Sequence, residues 1–190
     1  MKKNLLLTLF LFGFLVNGFS QNDFHRKIYS VGLGIGNENN ISNFGMYFTN
    51  DFKYFALDRL AVNPRISFFQ SLGLNNYKHY GYKSQSGVFF ELGASFSIIK
   101  YSYSELSISA GPSFQIGSET YRSLASYDEN FEVIEERFSN KYFRRLGLYL
   151  DLDFTFNDGD KLEQTIGIKS SYFGIYPEYL GIVYKIGFKL

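Results

Sequence analysis

From Tyr29 onward the chain alternates apolar and polar residues with a period of two. Tyr29, Val31, Leu33 and Ile35 alternate with Ser30, Gly32 and Gly34. Phe44, Met46 and Phe48 do so with Gly45, Tyr47 and Thr49. Leu60, Val62, Ile66 and Phe68 alternate with Ala61, Asn63, Arg65 and Ser67. The pattern repeats over Val88–Ile98, Leu106–Ile116, Leu146–Phe156, Leu162–Lys169 and Ile182–Leu190. Successive side chains of a strand point to opposite faces, so these segments predict eight strands, each with one apolar face. Helical periodicity is absent outside the first twenty residues.

The connections alternate too. Short turns are expected around Asp58, across Tyr101–Glu105 and at Asn157-Asp158-Gly159-Asp160, where Gly supplies a positive φ. Longer loops are expected at Asn75–Ser86, Ser118–Asn140 and Tyr172–Tyr179, with Asn37–Asn40 a short exception. Short turns on one side and long loops on the other are the pattern of an eight-stranded antiparallel up-and-down transmembrane β-barrel. Both chain ends then fall on the short-turn side.

Residue size decides which face is inside. The polar face is crowded with small residues, among them Ser30, Gly32, Gly45, Ser67, Gly93, Ser95, Ser107, Ser109, Gly147, Gly167 and Gly187. The interior of an eight-stranded barrel is just wide enough for side chains to fill it. The small residues therefore belong inside and the Leu, Ile and Phe face belongs to lipid, where closure satisfies every backbone group. Arg65, Arg145, Lys169, Lys185 and Lys189 share the inner face with Glu91, Asp151, Asp153 and Glu163. Buried charges persist when paired, so this set reads as a network that plugs the lumen rather than as an ion path. Tyr29, Tyr54, Tyr101, Tyr103, Tyr142, Tyr172, Tyr179 and Tyr184 read as interfacial girdles. Pro64 and Pro112 fall inside strands and predict a bulge or irregular register at each. Asn50 and Gln164 interrupt the apolar face and are expected near strand ends.

Composition sharpens this picture. With 20% aromatic and 19% charged residues among 190, the chain is not disordered. The absence of Cys excludes disulfides and thiolate metal sites. Lys2 and Lys3, the apolar run Leu5–Val16 and the small residues Gly18 and Ser20 predict a secretory signal over residues 1–20, with the barrel domain over 21–190. Its removal takes the formal charge from +1 to −1, which leaves no basic footprint for nucleic acid. Gly32-Leu33-Gly34-Ile35-Gly36 lies inside a strand and precedes no helix, so its phosphate-binding reading fails. No catalytic, cofactor or metal residue is assigned. His25 reads as solvated. His79 lies in a loop near Ser84 and Ser86, but reads His79-Tyr80-Gly81-Tyr82 and lacks the His-x-Ser-Asn stretch of lipid A deacylases.

The signal followed by eight strands resembles the small outer-membrane β-barrel proteins of the Bacteroidota, the PorT-like group. Tyr47–Val62 (YFTNDFKYFALDRLAV) looks like a hairpin common in that group, and Leu180–Leu190 (LGIVYKIGFKL) like a terminal barrel strand, though it ends in Leu190 rather than an aromatic. The resemblance implies an outer-membrane monomer that meets barrel-insertion machinery, lipid and lipopolysaccharide, and an envelope or secretion-system protein as a partner. It carries no role over residue by residue. A structural or interaction barrel is the leading reading. The alternatives are a lipid A acyl hydrolase and a soluble lipocalin-like calyx. The latter lacks its Gly-x-Trp signature, since the chain has no Trp. The expected place of any specific role is Ser118–Asn140, whose six acids outnumber Arg122 and Arg137.

Overall fold

A computed structural model describes residues 26–39, 43–72, 82–127, 133–158 and 161–190. Eight strands follow one another: β1 (Lys27–Glu38), β2 (Asn43–Phe55), β3 (Leu60–Ser71), β4 (Tyr82–Lys100), β5 (Ser104–Tyr127), β6 (Val133–Asp158), β7 (Leu162–Tyr172) and β8 (Pro177–Lys189). Each pairs antiparallel with the next, and β1 closes onto β8 from Ile28↔Lys189 to Glu38↔Tyr179. The fold is the eight-stranded antiparallel transmembrane-type barrel that the alternation predicts. The predicted signal segment lies outside the described residues.

The faces fall as residue size dictates. In β8, Leu180, Ile182, Tyr184, Ile186 and Phe188 are exposed, whereas Gly181, Val183, Lys185 and Gly187 are buried. Ser67, Ser95, Ser107, Ser109 and Ser113 point inward, while Leu33, Ile66, Leu92, Leu148 and Ile168 point outward.

Four expectations need correction. First, the prolines cause no bulge. The β2–β3 ladder reaches Asp51↔Arg65 and resumes in the same register at Tyr54↔Val62, leaving out Pro64. The β4–β5 ladder steps over Pro112 in the same way, from Glu91↔Ser113 to Ala94↔Ala110. Proline lacks only the N–H, so each loses bonds on one side and keeps its place on the other, as Pro64↔Leu92 and Pro112↔Leu148 show. The register shifts lie elsewhere, at Ser97/Ile99 among others. Second, Asn50 sits in mid-strand, paired with Val31 and Ile66; Gln164, by contrast, lies near the start of β7 and accepts the Tyr184 hydroxyl at 2.8 Å. Third, Tyr179 is fully buried inside and Tyr184 lies in the middle of β8, so neither belongs to a girdle. Fourth, Ser118–Asn140 is not a long loop. β5 runs on to Tyr127 and β6 begins at Val133.

Candidate functional site: a filled lumen and a projecting hairpin

The inward face of each strand contributes to three layers. At the short-turn end Ile28, Phe55 and Ala61 pack together. The Arg26 guanidinium lies 4.3 Å from the Phe55 ring centroid, 3.5 Å from Glu105 and 3.7 Å from Glu163. Ser97 Oγ donates to Glu105 at 2.6 Å.

The middle layer is ionic. Arg65 pairs with Glu91 at 2.6 Å, with Asp51 at 3.6 Å, and with Asp151. Lys169 reaches Glu91 at 2.8 Å. Lys185 bridges Asp51 and Asp153, both at 2.9 Å, and Lys53 lies 3.4 Å from Asp153. Asp51, Glu91, Asp151 and Asp153 thus face Lys53, Arg65, Lys169 and Lys185, and the charges balance. Arg65 is 4% exposed and stacks 4.5 Å from the Tyr149 ring centroid. The space among Thr49, Arg65, Asp151, Asp153, Lys169 and Lys185 is too small to admit a water. Such a network persists because each charge has its partner. Removing one member leaves the others buried and uncompensated.

The outer layer is aromatic: Tyr47, Phe69, Phe89, Tyr179 and Val183, flanked by Phe173. The Phe69 and Phe89 rings meet Tyr179 edge-on at 5.3 and 5.0 Å. The Tyr179 hydroxyl accepts from Gln85 and Gln115, each at 2.6 Å. Glycines make room for the rings: a Cβ at Gly36 or Gly181 would strike Tyr47, and one at Gly45 would strike Phe69. Above this layer Arg145 donates to Glu178 at 2.5 Å and to Gln115 at 2.9 Å.

The structure therefore brings together Arg65, Glu91, Asp151, Asp153, Lys169 and Lys185 as the sequence predicts. It places Arg145 at the outer mouth, Glu163 at the opposite end and Lys189 half-buried at the terminus. The sequence reading missed Asp51 and Lys53, because Asn50 breaks the apolar alternation of β2. It also missed the aromatic layer, since Phe69 and Phe89 each sit beside an outward Phe and merge into an apolar run. The cross-strand glycines were the available signal. Among the described residues no cluster of three or more His, Asp or Glu is placed to hold a metal ion. His25 and His79 lie outside the described residues.

The second feature is the hairpin. β4 stays paired with β5 only as far as Tyr121, and β7 with β6 only from Leu148. Beyond these points, among the described residues, β5 and β6 pair only with each other, up to Tyr127↔Val133. Thr120 donates to Asn140 at 2.8 Å and Ser123 to the Arg137 carbonyl at 3.0 Å. The outward apolar residues of β6 run from Leu146 to Phe156, about the 9–11 residues a tilted strand needs to cross hydrocarbon. Immediately above come Arg145, Arg144 and Lys141. Ile134, Phe138 and Tyr142 continue the outward face as exposed side chains, Tyr142 at 81%. Between the two strands the sequence reads Asp128-Glu129-Asn130-Phe131-Glu132, outside the described residues, and Glu135 follows in β6.

No family model matches the chain. No curated protein matches it in sequence. Solved structures do match its fold. Neisserial surface protein A is 10% identical, with a TM-score of 0.60 over 90% of this chain and 100% of that one. The N-terminal β-barrel domain of Pseudomonas aeruginosa OprF is 11% identical, with a TM-score of 0.52 over the same shares. A de novo designed transmembrane β-barrel is 10% identical, with a TM-score of 0.50, again over 90% and 100%. A designed barrel among these shows that the likeness concerns architecture and carries no activity with it.

Proposed function

We propose that the chain is a non-enzymatic outer-membrane barrel, exported by cleavage of residues 1–20, whose role is interaction through the projecting β5–β6 hairpin. The PorT-like group of the Bacteroidota is the family we infer, with the barrel-insertion machinery met during biogenesis. The observation that carries the reading is the edge of β6 from Val133 to Gly147, to which no strand other than β5 pairs among the described residues. An unpaired strand edge presents a row of N–H and C=O groups that an added strand can pair with. Basic Lys141 and Arg144 at its base suit the anionic headgroups of lipopolysaccharide, and the acid-rich sequence from Asp128 to Glu136 suits a cationic partner protein. The filled lumen supports the other half of the reading: no ion conductance of porin size, and a wall that serves as a rigid base.

Replacing residues 120–140 by an Asn-Gly turn that joins Glu119 to Lys141 tests it, since these two are already cross-strand neighbours. The shortened protein should fold with unchanged heat-modifiable gel mobility. A photo-crosslinker placed at position 142 of the full chain should capture a discrete surface partner in intact cells. No adduct there, or large stable conductance steps in planar bilayers, would refute the reading.

A further inference from the structure

On the outward wall, Pro64 and Pro112 lie in one row on either side of Leu92, Asn50 lies in the adjacent row opposite Ile66, and none of the three suits a lipid-facing strand. The two ladder gaps described above flank the β3–β4 pair, one on each side. Between them a groove of about 490 Å³ opens outward among Ile66, Phe90, Phe114 and Leu146. Its lining is largely apolar, but it includes Asn50 and the two prolines, and it reaches Arg65 and Glu91 of the lumen network. Asn50 is half-buried there, and the structure gives its amide no hydrogen-bond partner among the described residues.

We propose that this groove is a lateral slot for one fatty acyl chain of a bilayer lipid. The inference rests on the membrane-spanning reading above. The groove lies midway along the outward apolar run, with Phe44, Met46 and Phe48 on one side of Asn50 and Phe52 and Tyr54 on the other. At that depth the molecules that meet the wall are acyl chains. The largely apolar part of its lining offers water few partners, and leaving it empty forfeits the dispersion contacts of that lining. A linear chain enters a dent one strand pair wide, whereas the wall of a second barrel presents a flat row of alternating side chains. The prolines are what make the dent. They remove ladder bonds where any other residue would draw the strands together.

The test uses the full chain in phosphatidylcholine vesicles doped with a phospholipid that carries a diazirine part-way along one acyl chain. After irradiation, adducts should concentrate on Pro64–Ile66 and Phe90–Leu92, about tenfold over Ile166–Ile168 on the far wall. That ratio corresponds to a preference of about 1.4 kcal/mol over bulk lipid. Asn50→Phe, which fills the groove from β2, should bring the two walls level. Ile66→Trp should do the same from the other rim if the first variant fails to fold. Equal labelling of both walls in the unmodified protein would overturn the slot and leave the membrane reading intact. Chain-to-chain crosslinks from the groove would assign it to a second copy and overturn the lipid proposal. Absence of label on either wall would refute the membrane reading and the slot with it.

Discussion

β5 and β6 are single strands that live in two settings. Up to Tyr121 in β5 and from Leu148 in β6 they are part of a closed wall, with one face against packed side chains and the other largely apolar. Above those points they form a two-stranded arm. The lower half of β6 reads Leu146, Leu148, Leu150, Leu152, Phe154 and Phe156 on one face and Gly147, Tyr149, Asp151 and Asp153 on the other. The upper half mixes Glu, Arg, Ser, Asn and aromatic residues on both faces. The backbone is the same, so the difference is set by what each face meets: hydrocarbon and a dense lumen below, water on both sides above. Charges inside the lower half are fixed in a network, whereas those on the arm bond locally, as Arg137 does with Glu135 at 3.0 Å.

Removing one charge from each region should give the largest contrast. Arg65→Met leaves Asp151 without its cation and the lumen one positive charge short, and should cost about 3–5 kcal/mol. Arg137→Met on the arm should stay within about 0.5 kcal/mol. Urea unfolding in lipid vesicles measures both, and similar losses would erase the distinction. Inserting a charge comes next. Leu148, outward and 62% exposed, should tolerate arginine poorly, at about 2–4 kcal/mol, whereas Tyr142→Arg above the apolar band should cost about 0–1 kcal/mol. Ser109→Thr, inward, adds one methyl and should cost less than Leu148→Arg. A smaller effect is expected from glycine. Gly45→Ala places a Cβ against the Phe69 ring and the Gln70 carbonyl and should cost about 1–3 kcal/mol. Ser123→Ala on the arm should be nearly silent, as a thermal melt would show.

The same two settings explain what the sequence could reveal. Where one face meets lipid, the contrast between Leu148 and Tyr149 or between Ile182 and Gly181 is strong, and strands, closure and facing follow from it. On the arm both faces meet water, so Ser118–Asn140 carries no period-two hydropathy signal although it is largely strand. Inside the barrel the contrast also fades: Phe69 beside Phe68, and Phe89 beside Phe90, do not declare which one fills the lumen. Glycine placement does, because Gly45 and Gly181 mark where a ring must lie. The groove was legible only in part. Asn50, Pro64 and Pro112 stand out as misfits one by one, but they sit on β2, β3 and β5, and only the pairing register brings them into adjacent rows of one wall.

The chain contains no Cys, so single cysteines report without background, and a scan along β6 tests the central claim most directly. Protein in sealed vesicles is exposed to a membrane-impermeant maleimide after substitution of Phe138, Tyr142, Leu148, Leu152, Asp151 or Tyr149 by Cys. The account predicts rapid labelling at positions 138 and 142. It predicts none at 148 and 152, which face hydrocarbon, and none at 149 and 151, which are packed in the lumen. Labelling at 148 and 152 would show that the apolar face meets water, and labelling at 151 would show an open, water-filled bore; either result would contradict a filled barrel that spans the membrane and carries its arm outside.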